Sequence, residues 1–135
     1  SPEVAVSDGD GAGLSPGQSA DLERALQAAE QQCGLAFSLF IGPWMDGRVG
    51  VERMHAQLQQ PERTVLIAVH PEERKLEIVT GRLARLALDD EACELASLSM
   101  TTSFAAGNLV GGIRNGLSVL GEQGRRSAVQ WIDQP

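Results

Sequence analysis

Residues 89–120 constrain the fold more than any other part of this chain, because they have the pattern of two helices that meet at a corner. Asp89 and Asp90 place side-chain oxygens and negative charge where the first helix would begin. Such groups satisfy free N–H groups and complement the helix dipole. Gly107 can supply the left-handed residue that ends this helix, and Asn108 can cap the next one. The sequence therefore predicts two helices joined by a short, well-defined turn.

The first of these helices is predicted to lie in the core. Its apolar residues spread around more than one face, which indicates burial on several sides. They are Ala92, Leu95, Ala96, Leu98, Met100 and Phe104. The second helix carries an apolar stripe at helical spacing, formed by Val110, Ile113, Leu117 and Leu120.

The 135 residues suffice for one domain with its own core. Residues 1–13 are rich in glycine, aspartate and serine and lack periodicity, which is typical of a flexible arm. Alternatively, Val4 and Val6 could pair along a sheet edge. We predict an α/β domain over residues 14–121, followed by a C-terminal tail over residues 122–135.

The domain is predicted to begin with a helix and a buried strand. Ser15 is a suitable N-cap, Gln18 completes a capping box with it, and Gly34 is placed to end the helix. From residue 35 to residue 41, both faces of an alternating pattern are largely apolar, as expected of a strand covered on both sides. A second amphipathic helix follows and is closed by Pro61.

Two further strands are predicted at residues 64–69 and 75–80, joined by a polar turn as a hairpin. The strand, helix and strand that precede this turn can form a right-handed parallel crossover, so the sheet should be mixed. The expected fold class is α/β, as a three-layer α/β/α sandwich in which a mixed β-sheet carries helices on both faces.

The charge of the chain argues against nucleic acid as a partner. Eleven basic and eighteen acidic residues give a net charge of -7, and the basic residues are scattered.

No segment has the pattern of a transmembrane helix or a signal peptide. The expected location is therefore the cytoplasm, with a removed signal or membrane anchor as the alternative. A protein or a membrane-associated partner is compatible with the sequence.

Three residues with reactive side chains have simpler structural explanations. Cys33 and Cys93 lie in helical apolar patterns without Cys or His at metal-ligand spacing, so we interpret each as a small buried hydrophobic residue. A disulfide between them is the alternative. His55 lies on or beside an apolar stripe, and no second His or Cys accompanies it in sequence. We predict a hydrogen-bonded structural histidine rather than a ligand or general base.

The sequence contains no specific catalytic signature, such as a phosphate-binding loop, a metal-binding His pair or a nucleophile elbow. The glycines of residues 107–112 could bring backbone N–H groups close to an anion at a helix start. Close helix packing also explains them. We favour packing, because a glycine repeat without a preceding strand is a weak signal for anion binding.

Residues 99–113, Ser-Met-Thr-Thr-Ser-Phe-Ala-Ala-Gly-Asn-Leu-Val-Gly-Gly-Ile, resemble the signature of an actinobacterial family of unknown function, DUF5130. That family is similar to the wider TPM domain group, named for plant thylakoid lumen proteins and a worm receptor modulator. The resemblance covers nearly the whole span from residue 13 to residue 120. It implies a TPM-like fold but does not supply a reaction.

In the TPM group a divalent cation, usually calcium or magnesium, is held near the ends of the sheet strands. Carried over to this chain, the resemblance implies site positions at Asp10, Gly81 and Asn108, and Asp89 and Asp90 could supply further oxygens. Asn108 stands where the group usually has Asp, and loss of a carboxylate should weaken the binding of a hard cation. We therefore expect a calcium or magnesium site that is weak or empty.

Two functions are compatible with this resemblance. The favoured one is a non-enzymatic TPM-like binding or interaction module. The alternative is a divalent-metal-dependent phosphatase, since some plant TPM proteins are described as acid phosphatases. Asp10, Asp89 and Asp90 would then carry the site, with a bound cation polarising a phosphoryl oxygen.

Overall fold

The computed structural model describes residues 3–6 and 13–133, which form a mixed α/β fold. Within these ranges a four-stranded sheet consists, in spatial order, of β1 (Glu3–Val6), β2 (Ala36–Ile41), β3 (Thr64–His70) and β4 (Lys75–Thr80). The first three strands are parallel, and β4 runs antiparallel to β3. The predicted mixed sheet and its hairpin are therefore confirmed.

The same ranges contain five α-helices: α1 (Pro16–Cys33), α2 (Gly47–Ala56), α3 (Ala84–Ala87), α4 (Asp90–Ala105) and α5 (Leu109–Asp133). A short 3₁₀ helix, Pro61–Arg63, leads into β3. No helix in the described part of the chain combines the length and the apolar character needed to cross a membrane.

Short-range sequence signals set the ends of α1 as predicted. Ser15 Oγ accepts a hydrogen bond from the Gln18 N–H at 3.1 Å, and Gln18 Oε1 accepts one from the Ser15 N–H at 2.9 Å. Gly34 ends the helix with a φ of 79°. Glycine adopts this left-handed conformation without steric cost, which confirms its predicted place at the helix end.

Alternate residues of β3 point to opposite faces of the sheet and pack into two separate apolar clusters. Val65, Ile67 and Val69 pack with residues of α1, α3, α4 and α5 on one face. Leu66 and Ala68 pack with residues of α2 on the other face. Every residue of β3 is buried as a result.

The two parallel crossovers pass over opposite faces of the sheet. Each crossover leads to the neighbouring strand in the same direction across the sheet, from β1 to β2 through α1 and from β2 to β3 through α2. The direction of movement and the face that is crossed together determine the hand of a crossover. The two crossovers therefore have opposite hands, and the right-handed rule can hold for only one of them.

Part of the expected N-terminal arm belongs to the sheet. Of residues 1–13, residues 3–6 form the edge strand β1, which pairs with β2 in parallel. The pairing Val4↔Leu39 and Val6↔Ile41 corresponds to the edge-strand alternative rather than to a free arm.

The C-terminal helix is longer than the sequence pattern indicates. α5 continues beyond Gly121 as far as Asp133, so most of the expected tail at residues 122–135 extends this helix. A Cβ atom at Gly124 would overlap the Cys33 side chain of α1. The glycines in this part of α5 thus allow two helices to approach closely and do not end the helix.

Candidate ligand-binding site at the helical corner

The corner between α4 and α5 is held by a left-handed residue and a side-chain cap, as the sequence predicts. Gly107 has a φ of 83° and follows the end of α4. The Asn108 N–H donates to the Ser103 carbonyl oxygen at 2.9 Å, and Asn108 Oδ1 accepts from the Gly111 N–H at 2.9 Å. The turn therefore places an exposed amide side chain at the start of α5.

Close packing of α4 against α5 fixes this corner. Gly112 and Gly116 of α5 lie against Phe104 and Met100 of α4, and a Cβ atom at either glycine would overlap those side chains. Helix packing is therefore a sufficient reason for these glycines, as the sequence analysis favoured.

A polar groove of about 560 Å³ opens between α1 and α5, and Asn108 is one of its lining residues. Small residues leave room for the groove, including Ala25, Ala28 and Gly111. Polar side chains that line it include those of Arg24, Gln32, Asn108, Arg114 and Asn115. The groove can therefore offer several hydrogen-bond donors to one bound group.

The two arginines of the groove differ in their pairing. Arg24 forms an ion pair with Asp21, one turn earlier in α1. Arg114 is exposed, and no carboxylate of the described residues forms an ion pair with it. The charge of Arg114 is thus available to a ligand in the groove.

A smaller cavity of about 130 Å³ lies beside the same corner, at the end of β3, and is lined by His70, Pro71, Arg74, Phe104, Gly107 and Leu109. His70 is buried, its Nδ1 accepts a hydrogen bond from the Glu73 N–H at 3.3 Å, and its ring centre lies 5.9 Å from that of Trp44. A hydrogen bond from Lys75 and the charge of Lys75 lower the pKa of Glu73. Sequence reasoning missed His70, because it ends a continuous apolar run and no local motif marks it.

The candidate metal ligands do not gather at one place. Asp89 and Asn108 lie at opposite ends of α4, which has 16 residues. At 1.5 Å per residue this separates them by about 24 Å. Asp90 begins α4 at the same end as Asp89, and Asp10 lies outside the described residues. Asp89 and Asp90 therefore cannot share an ion with Asn108.

Two of the described candidates for a cation site have structural roles of their own. Asp89 Oδ1 accepts a hydrogen bond from the Ala92 N–H at 2.9 Å, so this carboxylate serves as the predicted cap of α4. Gly81 is buried, and a Cβ atom there would overlap the backbone of Pro61 and Glu62. Among the side chains that the structure describes, no group of three or more His, Cys, Asp or Glu residues is arranged to hold a metal ion.

The other residues considered for chemistry have structural contacts. His55 is buried and its Nε2 donates to the Thr64 carbonyl oxygen at 2.9 Å, which confirms the predicted structural histidine. Cys33 and Cys93 are free, half-buried thiols. Burial raises the pKa of Cys93 to about 11, with a contribution from the charge of Asp90, and burial also raises the pKa of Cys33.

Comparisons with known proteins connect this fold to a family. The profile of a family described as "Domain of unknown function (DUF5130)" matches residues 11–121. Two relatives are the uncharacterized proteins Rv2468c and MT2543 from two strains of Mycobacterium tuberculosis, each 26% identical over 100 residues. The match covers 73% of this chain and 60% of each relative, so the chain spans about 60% of the length of these curated relatives.

Solved structures share the fold at low sequence identity. The N-terminal domain of the cg2496 protein from Corynebacterium glutamicum has a TM-score of 0.71 at 14% identity, covering 90% of this chain and 78% of that one. The BA42 protein from Bizionia argentinensis has a TM-score of 0.73 at 15% identity, with 90% and 88% covered. An N-terminal domain from P. gingivalis has a TM-score of 0.69 at 16% identity, with 89% and 80% covered.

Proposed function

Given that this chain belongs to the DUF5130 family, we propose that it is a non-enzymatic binding module with a TPM-like, three-layer α/β/α fold. The separate apolar clusters on the two faces of the sheet support the three-layer arrangement. The proposed ligand surface is the α1–α5 groove, which reaches the cap residue Asn108.

The observation that carries this proposal is the position of Arg114. It is an arginine without an ion-pair partner among the described residues, it lines the α1–α5 groove, and the protein as a whole is acidic. Other arginines, such as Arg82, also lack an ion-pair partner among the described residues, but Arg114 is the one of them that lines this groove. A guanidinium that faces a groove and lacks such a partner favours an anionic ligand, because it can donate charge-assisted hydrogen bonds.

The surroundings of Arg114 suit a ligand with one anionic group and further polar atoms. Asn115 and Gln32 carry amides that can donate or accept hydrogen bonds, and both line the groove. The groove also borders the first turn of α5, whose positive dipole end adds to the attraction of an anion. Its volume of about 560 Å³ lies within the roughly 300–1,000 Å³ typical of small-molecule sites.

Binding is favoured over phosphate hydrolysis by the placement of the carboxylates. Asp89 is engaged in capping α4, and α4 separates it and Asp90 from the groove end at Asn108. A hydrolytic site would need a base or a cation beside the bound group. The groove offers the Asp21 carboxylate, which is paired with Arg24.

The test is a titration followed by amide chemical shifts, with inorganic phosphate as the first probe. Phosphatidylglycerol vesicles, with phosphatidylcholine vesicles as their control, form a second arm that distinguishes a membrane headgroup from a free anion. We expect shifts at Asn108, Gly111 and Arg114. The Arg114→Gln variant should bind phosphate about tenfold more weakly, since it loses a charge-assisted hydrogen bond.

The matched control is Arg82→Gln, which removes the same charge from an exposed arginine that does not line the groove. Its binding should equal that of the unmodified protein. Equal affinity of the Arg114→Gln and unmodified proteins, or shifts that map away from α1 and α5, would refute the proposal.

A further inference from the structure

The outer edge of β4 has backbone groups that no strand of the described sheet uses. β4 ends the sheet order, with β3 as its neighbour. The Gly81 N–H donates to the Thr64 carbonyl oxygen at 3.0 Å, so the backbone at this position and at every second residue before it points toward β3. The N–H and C=O groups of Leu76, Ile78 and Thr80 therefore point outward.

Two arginine side chains occupy the places where a further strand would donate hydrogen bonds. Arg48 donates to the Ile78 carbonyl oxygen at 3.2 Å, and Arg85 donates to the Thr80 carbonyl oxygen at 3.4 Å. Both bonds are longer than the usual 2.9–3.0 Å. Both arginines are exposed, so they can move aside without disturbing the core. The edge is covered by exposed side chains rather than by a helix or strand of the described residues.

A groove of about 360 Å³ runs beside this edge. β4 contributes Leu76, Ile78 and Thr80, the residues whose backbone points outward, and α4 contributes Asp90, Cys93, Glu94 and Ser97. The groove therefore combines backbone groups that no other strand uses with a wall of side chains, which is the arrangement needed to hold an added strand.

The wall of this groove is acidic. Glu77, Asp90 and Glu94 line it together with the two arginines, and Arg48 is already paired with Glu77. Burial raises the pKa of Cys93, the charges of Asp90 and Asp89 add to this effect, and those of Arg48 and Arg85 oppose it. A basic segment would complement the wall better than an acidic one.

We propose that β4 is the docking edge for an extended segment of another protein, which adds a strand to the sheet and places lysine or arginine side chains against Glu94 and Asp90. The segment would alternate basic with small apolar residues, because successive side chains of a strand point to opposite faces. This surface lies on other elements than the α1–α5 groove, so the inference goes beyond the proposed function and does not depend on it.

The probe is a short capped peptide of alternating lysine and valine, titrated into the full chain. We expect chemical-shift changes and slower hydrogen exchange at the amides of Leu76, Ile78 and Thr80. A second peptide of the same sequence, N-methylated along one edge, keeps the charge but cannot pair with β4. It should bind about tenfold more weakly, since several backbone hydrogen bonds are lost.

Matched variants on α4 test the acidic wall. Glu94→Lys reverses a charge in the groove, and Glu91→Lys makes the same change at an exposed position that does not line it. Glu94→Lys should weaken peptide binding severalfold more than Glu91→Lys. The proposal would be overturned if the two peptides bound equally or if the two variants had equal effects. It would also be overturned if the chemical-shift changes lay outside β4 and α4, or if β4 paired with a second copy of the chain. The two proposals can fail separately, because chemical-shift changes at Arg114 in the phosphate titration test the α1–α5 groove and not the β4 edge.

Discussion

The Asn108 side chain accepts a hydrogen bond from the Gly111 N–H at 2.9 Å, and a Cβ atom on Gly111 would overlap that same side chain. The cap of α5 and the glycine one turn later are therefore one structural unit. The cap can form because position 111 has no side chain.

The first prediction follows from this pair. Gly111→Ala should destabilise the protein by about 1 kcal/mol in urea denaturation, because the new methyl group displaces the Asn108 cap. Gly17→Ala is the control, since its Cβ would meet only Ser15 Oγ, at 3.8 Å. That variant should be neutral or slightly stabilising, as alanine is favoured over glycine in helices. Equal stability of the two variants would contradict the coupling.

The second prediction concerns calcium at the corner. Asn108→Asp should leave the free energy of unfolding nearly unchanged, because Asn and Asp cap helices about equally well. It should strengthen calcium binding from a weak or undetectable level, because a carboxylate is a better ligand for a hard cation. Isothermal titration of both proteins measures this difference.

Asn115→Asp is the charge-matched control for the calcium prediction. It adds the same negative charge to the α1–α5 groove but does not stand at the cap. Tight calcium binding by the unmodified chain, or an equal gain from Asn115→Asp, would show that the residue at position 108 does not limit binding.

The third prediction compares the stability effects of alanine at two tightly packed glycines. Gly81→Ala should cost about 3 kcal/mol in the free energy of unfolding, because the methyl group would overlap backbone atoms of Pro61 and Glu62. Gly116→Ala should cost less, because its methyl group meets the flexible side chain of Met100. Thermal unfolding with and without calcium decides whether Gly81 has this packing role. A calcium-dependent loss would point instead to a role in a metal site.

The fourth prediction concerns thiol chemistry. The pKa of Cys93, raised from 9.0 to about 11, lowers its thiolate fraction near neutral pH by about 100-fold relative to an unperturbed thiol. Alkylation of Cys93 in a Cys33→Ser variant should therefore be slow and should accelerate as the pH rises toward 11. A short unstructured peptide with one cysteine is the reference, and an equal rate for both would contradict the expected burial.

Local signals allowed the ends of the helices to be predicted from sequence. Ser15 with Gln18, and Asn108 after Gly107, each use contacts within four residues, so their hydrogen bonds follow from the local chain. The continuation of α5 past Gly121, where a tail was expected from residue 122, was not predicted for the opposite reason. The residue beside Gly121 is Gln32 of α1, which is distant in sequence, and no local pattern reveals that neighbour.

The candidate site was less predictable than the fold. Asp89 and Asn108 were both considered for one cation site, although the predicted helix ends already placed them at opposite ends of α4. Arg114 and Arg24 line one groove from two different helices, so the groove depends on tertiary packing. His70 was missed because its surroundings come from the loop after β2 and from the α4–α5 corner.

The burial of β3 on both faces has a consequence for how the molecule unfolds. If β3 separates from one apolar cluster, the other cluster is exposed as well, because adjacent residues of β3, such as Leu66 and Ile67, belong to different clusters. The amide protons of β3 should therefore exchange with solvent through global opening, more slowly than those near the helix ends. Denaturation should pass through one cooperative transition, with the two faces melting together.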